Sequence, residues 1–88
     1  MQKTIWKFPL DIDDSQEIEM PSDYQILAAQ VQAGSPQLWV LVDPDTPPSK
    51  VTIEIVGTGH RILDKKRKYI GSFQLLAGAL VYHCFQLE

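Results

Sequence analysis

The chain has 88 residues, a formal net charge of −3 and one cysteine. This length predicts a single domain, residues 1–88, because so short a chain buries only about 60% of its unfolded surface and cannot supply two cores. The negative net charge argues against binding bulk nucleic acid through an overall basic surface. One cysteine excludes an internal disulfide and a cysteine-rich zinc site.

The N-terminal sequence MQKTIWK has neither the apolar segment nor the small-residue cleavage site of a secretory signal. No apolar run approaches the roughly 20 residues of a transmembrane helix. We therefore expect a cytoplasmic protein with no membrane association.

Charge is segregated along the chain. Six of the eleven acidic residues lie within the first 23 positions, whereas five of the eight basic residues lie within residues 61–68. The five basic residues are Arg61, Lys65, Lys66, Arg67 and Lys68. Most runs of this kind are solvated loops, but this one could form a positive rim around a phosphate diester.

The N-terminal half predicts four strands. Residues 4–8 are β-branched and aromatic and stop at Pro9, and a turn at residues 11–16 precedes a short alternating strand at residues 17–20. Residues 25–33 are ambiguous, because Ala and Gln favour a helix whereas the apolar alternation favours a strand. We interpret them as a strand that forms a hairpin with residues 37–42.

The second half predicts three further strands. Three prolines predict a rigid loop at residues 43–49, after which residues 51–56 alternate, with Thr52, Glu54 and Val56 on one face. Residues 69–76 and 79–87 predict two strands around a turn at Gly78.

Together these elements predict a mostly β fold, a small antiparallel β-sandwich or a partly open barrel of six to seven short strands. Because a core of this size gives marginal stability, we expect strong strand pairing or self-association to supply part of the stability that a larger core would supply.

Few residues could support catalysis. Cys84 and His83 are adjacent on a predicted strand and point to opposite faces, so they should not form a dyad, and Cys84 is expected to be a buried thiol. The paired acids at residues 13–14 and 43–45 lie in turn-like sequence, where Asp commonly bonds nearby backbone. We expect no enzymatic activity, no metal site and no cofactor.

Residues 57–61, GTGHR, carry the most chemical content. Backbone amides around Gly59 could converge on an anion, Thr58 offers a hydroxyl, and His60 and Arg61 offer donors to phosphate. A hairpin or bulge that uses glycine for its positive φ explains the same pattern, and both interpretations stay open. The aromatic residues that could fill a core or stack on a base are Trp6, Trp39, Tyr24, Tyr69 and Tyr82.

The sequence resembles a family of small tailed-phage proteins across nearly its whole length. The matching segments are TIWKFPL (4–10), EIEMP (17–21), QVQ (30–32), LWVLVDP (38–44), GTGH (57–60), YIGSF (69–73) and LVYH (80–83). The family is similar to phage anti-defence proteins of the anti-CBASS type, which act as nucleotide sponges. The resemblance implies immune evasion in the host cytoplasm, by a homo-oligomer that binds a cyclic oligonucleotide or related signal without cleaving it.

The resemblance also suggests residue roles. Gly59, His60 and Arg61 would contact phosphate, and Thr58 would bond ribose or phosphate. An aromatic ring, that of Trp6 or Tyr82, would stack on a base, and Lys7 would lie nearby. The alternative is a small phage protein-protein interaction module that docks on a host or virion protein through a strand edge or an apolar patch.

Overall fold

A computed structural model of the chain describes residues 2–88, and Met1, where the predicted domain begins, lies outside them. The described residues form seven strands. These are β1 (Thr4–Pro9), β2 (Ser15–Pro21), β3 (Tyr24–Gln32), β4 (Ser35–Val42), β5 (Pro48–Gly57), β6 (Arg67–Leu75) and β7 (Leu80–Leu87). A single 3-10 turn at Leu76–Gly78 joins β6 to β7, and none of the described residues forms a helix long and apolar enough to cross a membrane.

The strands build two antiparallel sheets, one in the order β1-β4-β3 and the other in the order β2-β5-β7-β6. The sheets face each other and do not close into a barrel, so the sandwich prediction is confirmed. The ambiguous segment is a strand through Gln32, where Ala29 pairs with Leu38 and both side chains enter the core, whereas Ala33 lies in the turn with a φ of +50°.

Some predicted boundaries are wrong. The turn predicted at residues 11–16 ends earlier, because β2 starts at Ser15. The rigid loop predicted through Ser49 ends earlier, since β5 starts at Pro48 and pairs with Pro21 at the end of β2. Proline lacks an N–H, and the end of a ladder is where a missing donor costs least.

The core fills the space between the two sheets. Its fully buried side chains are Met20, Leu38, Val40, Val42, Ile53 and Cys84. Burial of Cys84 confirms the prediction for that thiol. The side of the four-stranded sheet that is turned away from the core is called its outer face, and it carries Glu54 and His83.

The connection between β5 and β6 determines where the candidate site lies. Both strands pair antiparallel with β7, which lies between them, so they run parallel to each other. Residues 58–66 must therefore run back along the sheet past β7 before β6 can begin. We call residues 58–66 the crossover.

Candidate ligand site at the crossover

The crossover begins with a glycine-dependent turn. The backbone N–H of His60 donates to the Gly57 carbonyl at 3.0 Å, and Gly59 has a φ of +86°. A Cβ at position 57 would lie 2.9 Å from Cε1 of the His60 ring, so a larger residue there would require this exposed imidazole to shift. The interpretation of the segment as a turn that uses glycine for its positive φ is therefore confirmed at Gly59.

The predicted residues His60 and Arg61 line a cavity of about 370 Å³ between the crossover and the sheet. The other charged residues in its wall are Asp14, Glu54, Lys65 and Arg67. The wall therefore contains three Lys or Arg side chains and two carboxylates. Its formal net charge is +1 when His60 is neutral.

An ion pair fastens the crossover to the outer face. Arg67 Nε donates to Glu54 Oε1 at 2.7 Å, and the two side chains are only 10% and 11% exposed. Arg67 Nη1 also donates to the Leu63 carbonyl at 2.6 Å, and Lys65 Nζ lies 3.9 Å from Glu54 Oε2. Glu54 thus engages two of the cations that could have formed the predicted positive rim.

Arg61 differs from those two cations. Among residues 2–88, no carboxylate lies within salt-bridge distance of its guanidinium. It lines the cavity and is exposed to solvent. An unpaired guanidinium of this kind keeps its five N–H donors available to a bound anion.

A line of hydrogen-bonded side chains leads from the crossover across the outer face. Thr58 Oγ1 lies 2.7 Å from His83 Nε2, His83 Nδ1 lies 2.7 Å from Ser72 Oγ, and Ser72 Oγ lies 2.7 Å from Tyr69 Oη. A neutral imidazole has one donor and one acceptor nitrogen, so one hydroxyl donates to His83 and the other accepts from it. We call these four residues the hydroxyl line.

Sequence reasoning did not connect His83 or Ser72 with Thr58. Ser72 and His83 are opposite each other in the ladder between β6 and β7, but a register shift between Tyr69 and Gly71 displaces the rest of that ladder. Alternation along β7 did predict that His83 points away from the core. The identity of its partners depends on the register, which the alternation leaves open.

Three predicted site residues lie away from the crossover cavity. Trp6 and Lys7 are in β1 of the other sheet and line a separate groove, where Lys7 Nζ donates to Gln32 Oε1 at 2.8 Å. Tyr82 packs against the core, with its ring centroid 5.8 Å from that of Phe73. The aromatic residue on the hydroxyl line is Tyr69 instead, and 58% of it is exposed.

Cys84 gives a pH-dependent prediction. Burial raises the pKa of its thiol to about 12, because desolvation disfavours the thiolate. The folded state therefore holds this proton more tightly than the unfolded chain, and the associated stability is complete below about pH 9 and is lost as the pH rises toward 12.

We expect urea denaturation to show a larger loss of unfolding free energy between pH 8 and pH 10.5 for the wild type than for Cys84→Val. Other groups titrate in this range in both proteins. The difference between the two losses of unfolding free energy therefore measures the contribution of the Cys84 thiol. Equal losses in the two proteins would contradict a raised pKa of the buried Cys84 thiol.

These features define a small antiparallel β-sandwich with a ligand-sized cavity beneath a polar crossover. The chain belongs to the family described as a domain of unknown function (DUF7352), whose model matches residues 1–88. No curated protein and no solved structure matches the chain.

Proposed function

We propose that this protein binds and sequesters a cyclic-nucleotide-type immune signal without cleaving it, as a phage anti-defence protein in the host cytoplasm. The observation that carries the proposal is the unpaired Arg61 guanidinium, which lines the crossover cavity beside His60. The sequence resemblance to nucleotide sponge proteins supports the same class of ligand.

The chemistry of the cavity suits a phosphate diester. A guanidinium can donate two parallel N–H bonds to phosphate oxygens, and the His60 imidazole, which lines the same cavity, can bond a remaining oxygen. The volume of about 370 Å³ lies within the usual range of about 300–1,000 Å³ for small-molecule sites. A cyclic oligonucleotide would place one phosphate and its sugar there and extend over the outer face.

Binding without cleavage is supported by the partners of His83. In hydrolases that use a histidine base, a carboxylate bonded to the second ring nitrogen orients the imidazole and stabilises its charged form. Both ring nitrogens of His83 bond hydroxyls instead. The hydroxyl line therefore favours recognition of a polar ligand over proton transfer.

The decisive experiment is a thermal-shift screen with cyclic dinucleotides, cyclic trinucleotides and ADP-ribose isomers. A ligand present at 100 times its Kd should add about 2.7 kcal/mol of stability, which corresponds to several degrees for a domain of this size. Chromatography after heat denaturation should recover the ligand intact. Absence of any shift across the panel would contradict the proposal.

The matched variant is Arg61→Ala combined with His60→Ala. Both side chains are exposed, so we expect the melting temperature of the free protein to change little while the ligand-induced shift is lost. Lys50→Ala is the control, since Lys50 is exposed and its nearest carboxylate, Glu17, is 4.0 Å away. Equal loss of binding in the control would indicate general electrostatic attraction instead of a specific site.

A second candidate function, a protein-protein interaction module, is favoured by a different observation. The hairpins formed by residues 24–42 and 69–87 contain no Asp, Glu, Lys or Arg. At their tips Val31, Leu76 and Leu80 are exposed, with Leu76 at 73%. Interface centres are depleted of charged residues, as these hairpins are. A module of this kind would retain its partner in the Arg61→Ala, His60→Ala variant.

A further inference from the structure

The sandwich has one closed side and one open side. On the closed side the edge strands β3 and β6 contact each other, and each carries a β-bulge, at Leu27 and at Ile70. Gln86 Nε2 also donates to the Tyr24 hydroxyl oxygen at 2.7 Å, which joins the two sheets near this side. Bulges and contact with a neighbouring element both keep an edge strand from pairing with another chain.

The open side is formed by the other two edge strands, β1 and β2. Each pairs with one strand of its own sheet, and both ladders run without a register shift. Within residues 2–88 the two strands make little contact with each other. Trp6, which is 40% exposed, lines the groove between them together with Met20. The open side therefore leaves two regular strand edges and part of the apolar interior uncovered.

The two edges of the open side carry opposite charge. Lys7 is the charged residue of β1, whereas β2 carries Glu17 and Glu19. Lys7 Nζ bonds the neutral amide of Gln32, and among residues 2–88 neither Lys7 nor Glu19 has an oppositely charged group within salt-bridge distance. Like charges placed opposite each other destabilise a strand pair, and opposite charges stabilise it. The edge of β1 therefore matches the edge of β2 and not that of another β1.

The strand directions allow both edges to pair at once. Residues 10–14 reverse the chain between β1 and β2, so these two strands run antiparallel. A two-fold axis parallel to the strands, beside the open side, sets β1 of each copy antiparallel to β2 of the other. The three-stranded sheet of each copy then continues into the four-stranded sheet of the other, and neither edge remains free.

We propose that this protein forms a two-fold symmetric dimer in which β1 of each copy pairs with β2 of the other. An axis along the strands keeps each residue at its own level, so Trp6, which lines one groove with Met20, lies opposite Met20 of the second copy. Lys7 then lies opposite Glu19 of the second copy, and by alternation both side chains point away from the core. The Trp6 ring becomes enclosed between the two joined sandwiches.

Sedimentation of the full chain over a range of concentrations tests the proposal. We expect a dimer of twice the 10.0 kDa chain mass. Lys7→Glu sets two carboxylates opposite each other at both contacts of the dimer and should raise its dissociation constant at least about tenfold. Lys68→Glu is the matched control, because it makes the same change at an exposed lysine of β6 on the closed side, and it should leave the dimer unchanged.

Exchange of the two charges distinguishes this contact from any other effect of the substitution. Lys7→Glu combined with Glu19→Lys restores an oppositely charged pair, so its dissociation constant should return close to that of the wild type. A combined variant that dimerises as weakly as Lys7→Glu alone would overturn the proposed pairing. A dimer that tolerates Lys7→Glu without any loss would overturn it as well.

Hydrogen exchange followed by NMR locates the interface. Backbone N–H groups on the free sides of β1 and β2 should exchange more slowly as the protein concentration rises, because only the dimer provides acceptors for them. A monomer at millimolar concentration or a dimer without this protection would overturn the proposal. A mass that keeps rising with concentration would also overturn it, because it would indicate open chains of copies in place of a closed pair.

The Arg61→Ala, His60→Ala variant separates the dimer from the function proposed above. Lys7 and Glu19 lie outside the wall of the crossover cavity. This variant should therefore lose the cyclic-nucleotide shift and still dimerise with the affinity of the wild type.

Discussion

Arg67→Met is expected to lower the free energy of unfolding by about 3–5 kcal/mol, because it leaves the Glu54 carboxylate buried without its guanidinium. The Glu54 side chain is only 11% exposed, and the nearest remaining cation, Lys65, is 3.9 Å away. The substitution also removes the donor to the Leu63 carbonyl, so the crossover loses one of its attachments to the outer face and keeps the contact of Thr58 with His83.

A double-mutant cycle with Glu54→Gln measures the interaction itself. If the loss in Arg67→Met comes from an unpaired buried carboxylate, the double variant should be more stable than the sum of the two single losses predicts. Urea denaturation gives all four free energies. Additive losses would show that Glu54 and Arg67 stabilise the fold independently.

Lys50→Met is the matched control for this cycle. Lys50 and Glu17 are 4.0 Å apart on the surface, with side chains 72% and 62% exposed. Exposed pairs of this kind contribute about 0–1 kcal/mol, so the control should remain close to the wild type. A loss as large as that of Arg67→Met would contradict the distinction between the two pairs.

The second large effect is expected from Ile53→Ala, with a loss of about 2–5 kcal/mol. Ile53 has no exposed surface and lies in β5, between β2 and β7 in the four-stranded sheet. Truncation leaves a cavity that neighbouring strands cannot close without breaking their pairing. Because domains of this size have total stabilities of only about 5–15 kcal/mol, a large part of the population should be unfolded at moderate temperature.

Ile5→Ala is the matched control, since Ile5 carries the same side chain on the edge strand β1 and is 57% exposed. Its loss should be within about 0.5 kcal/mol. Thermal denaturation by circular dichroism compares the two variants directly. Similar melting temperatures would mean that the core between the sheets contributes less than its burial indicates.

Strand positions and facing directions could be predicted well from local pattern. Cys84 and His83 are adjacent, yet alternation assigned the thiol to the core and the imidazole to the outer face, as the structure has them. The strand at residues 25–33 was resolved correctly against its helical composition, because the turn at Gly34 and the apolar run after it indicated a hairpin.

The candidate site could be predicted only in part. The GTGHR segment was recognised from residue type, and its His60 and Arg61 do line one cavity. Trp6 and Lys7 were expected beside it, but their strand belongs to the other sheet. Nothing in the local sequence indicates which sheet a strand joins, since alternation shows only which side chains share a face of the strand.

The sequence by itself determined the approximate positions of the strands, their inward faces and the turn at Gly59, because these follow from φ/ψ preferences and two-residue periodicity within a few neighbouring positions. Only the tertiary structure decided the strand order, the crossover past β7 and the paired bulges. These depend on contacts between residues distant in the chain. Such contacts join Glu54 to Arg67, Thr58 to His83 and Gln86 to Tyr24.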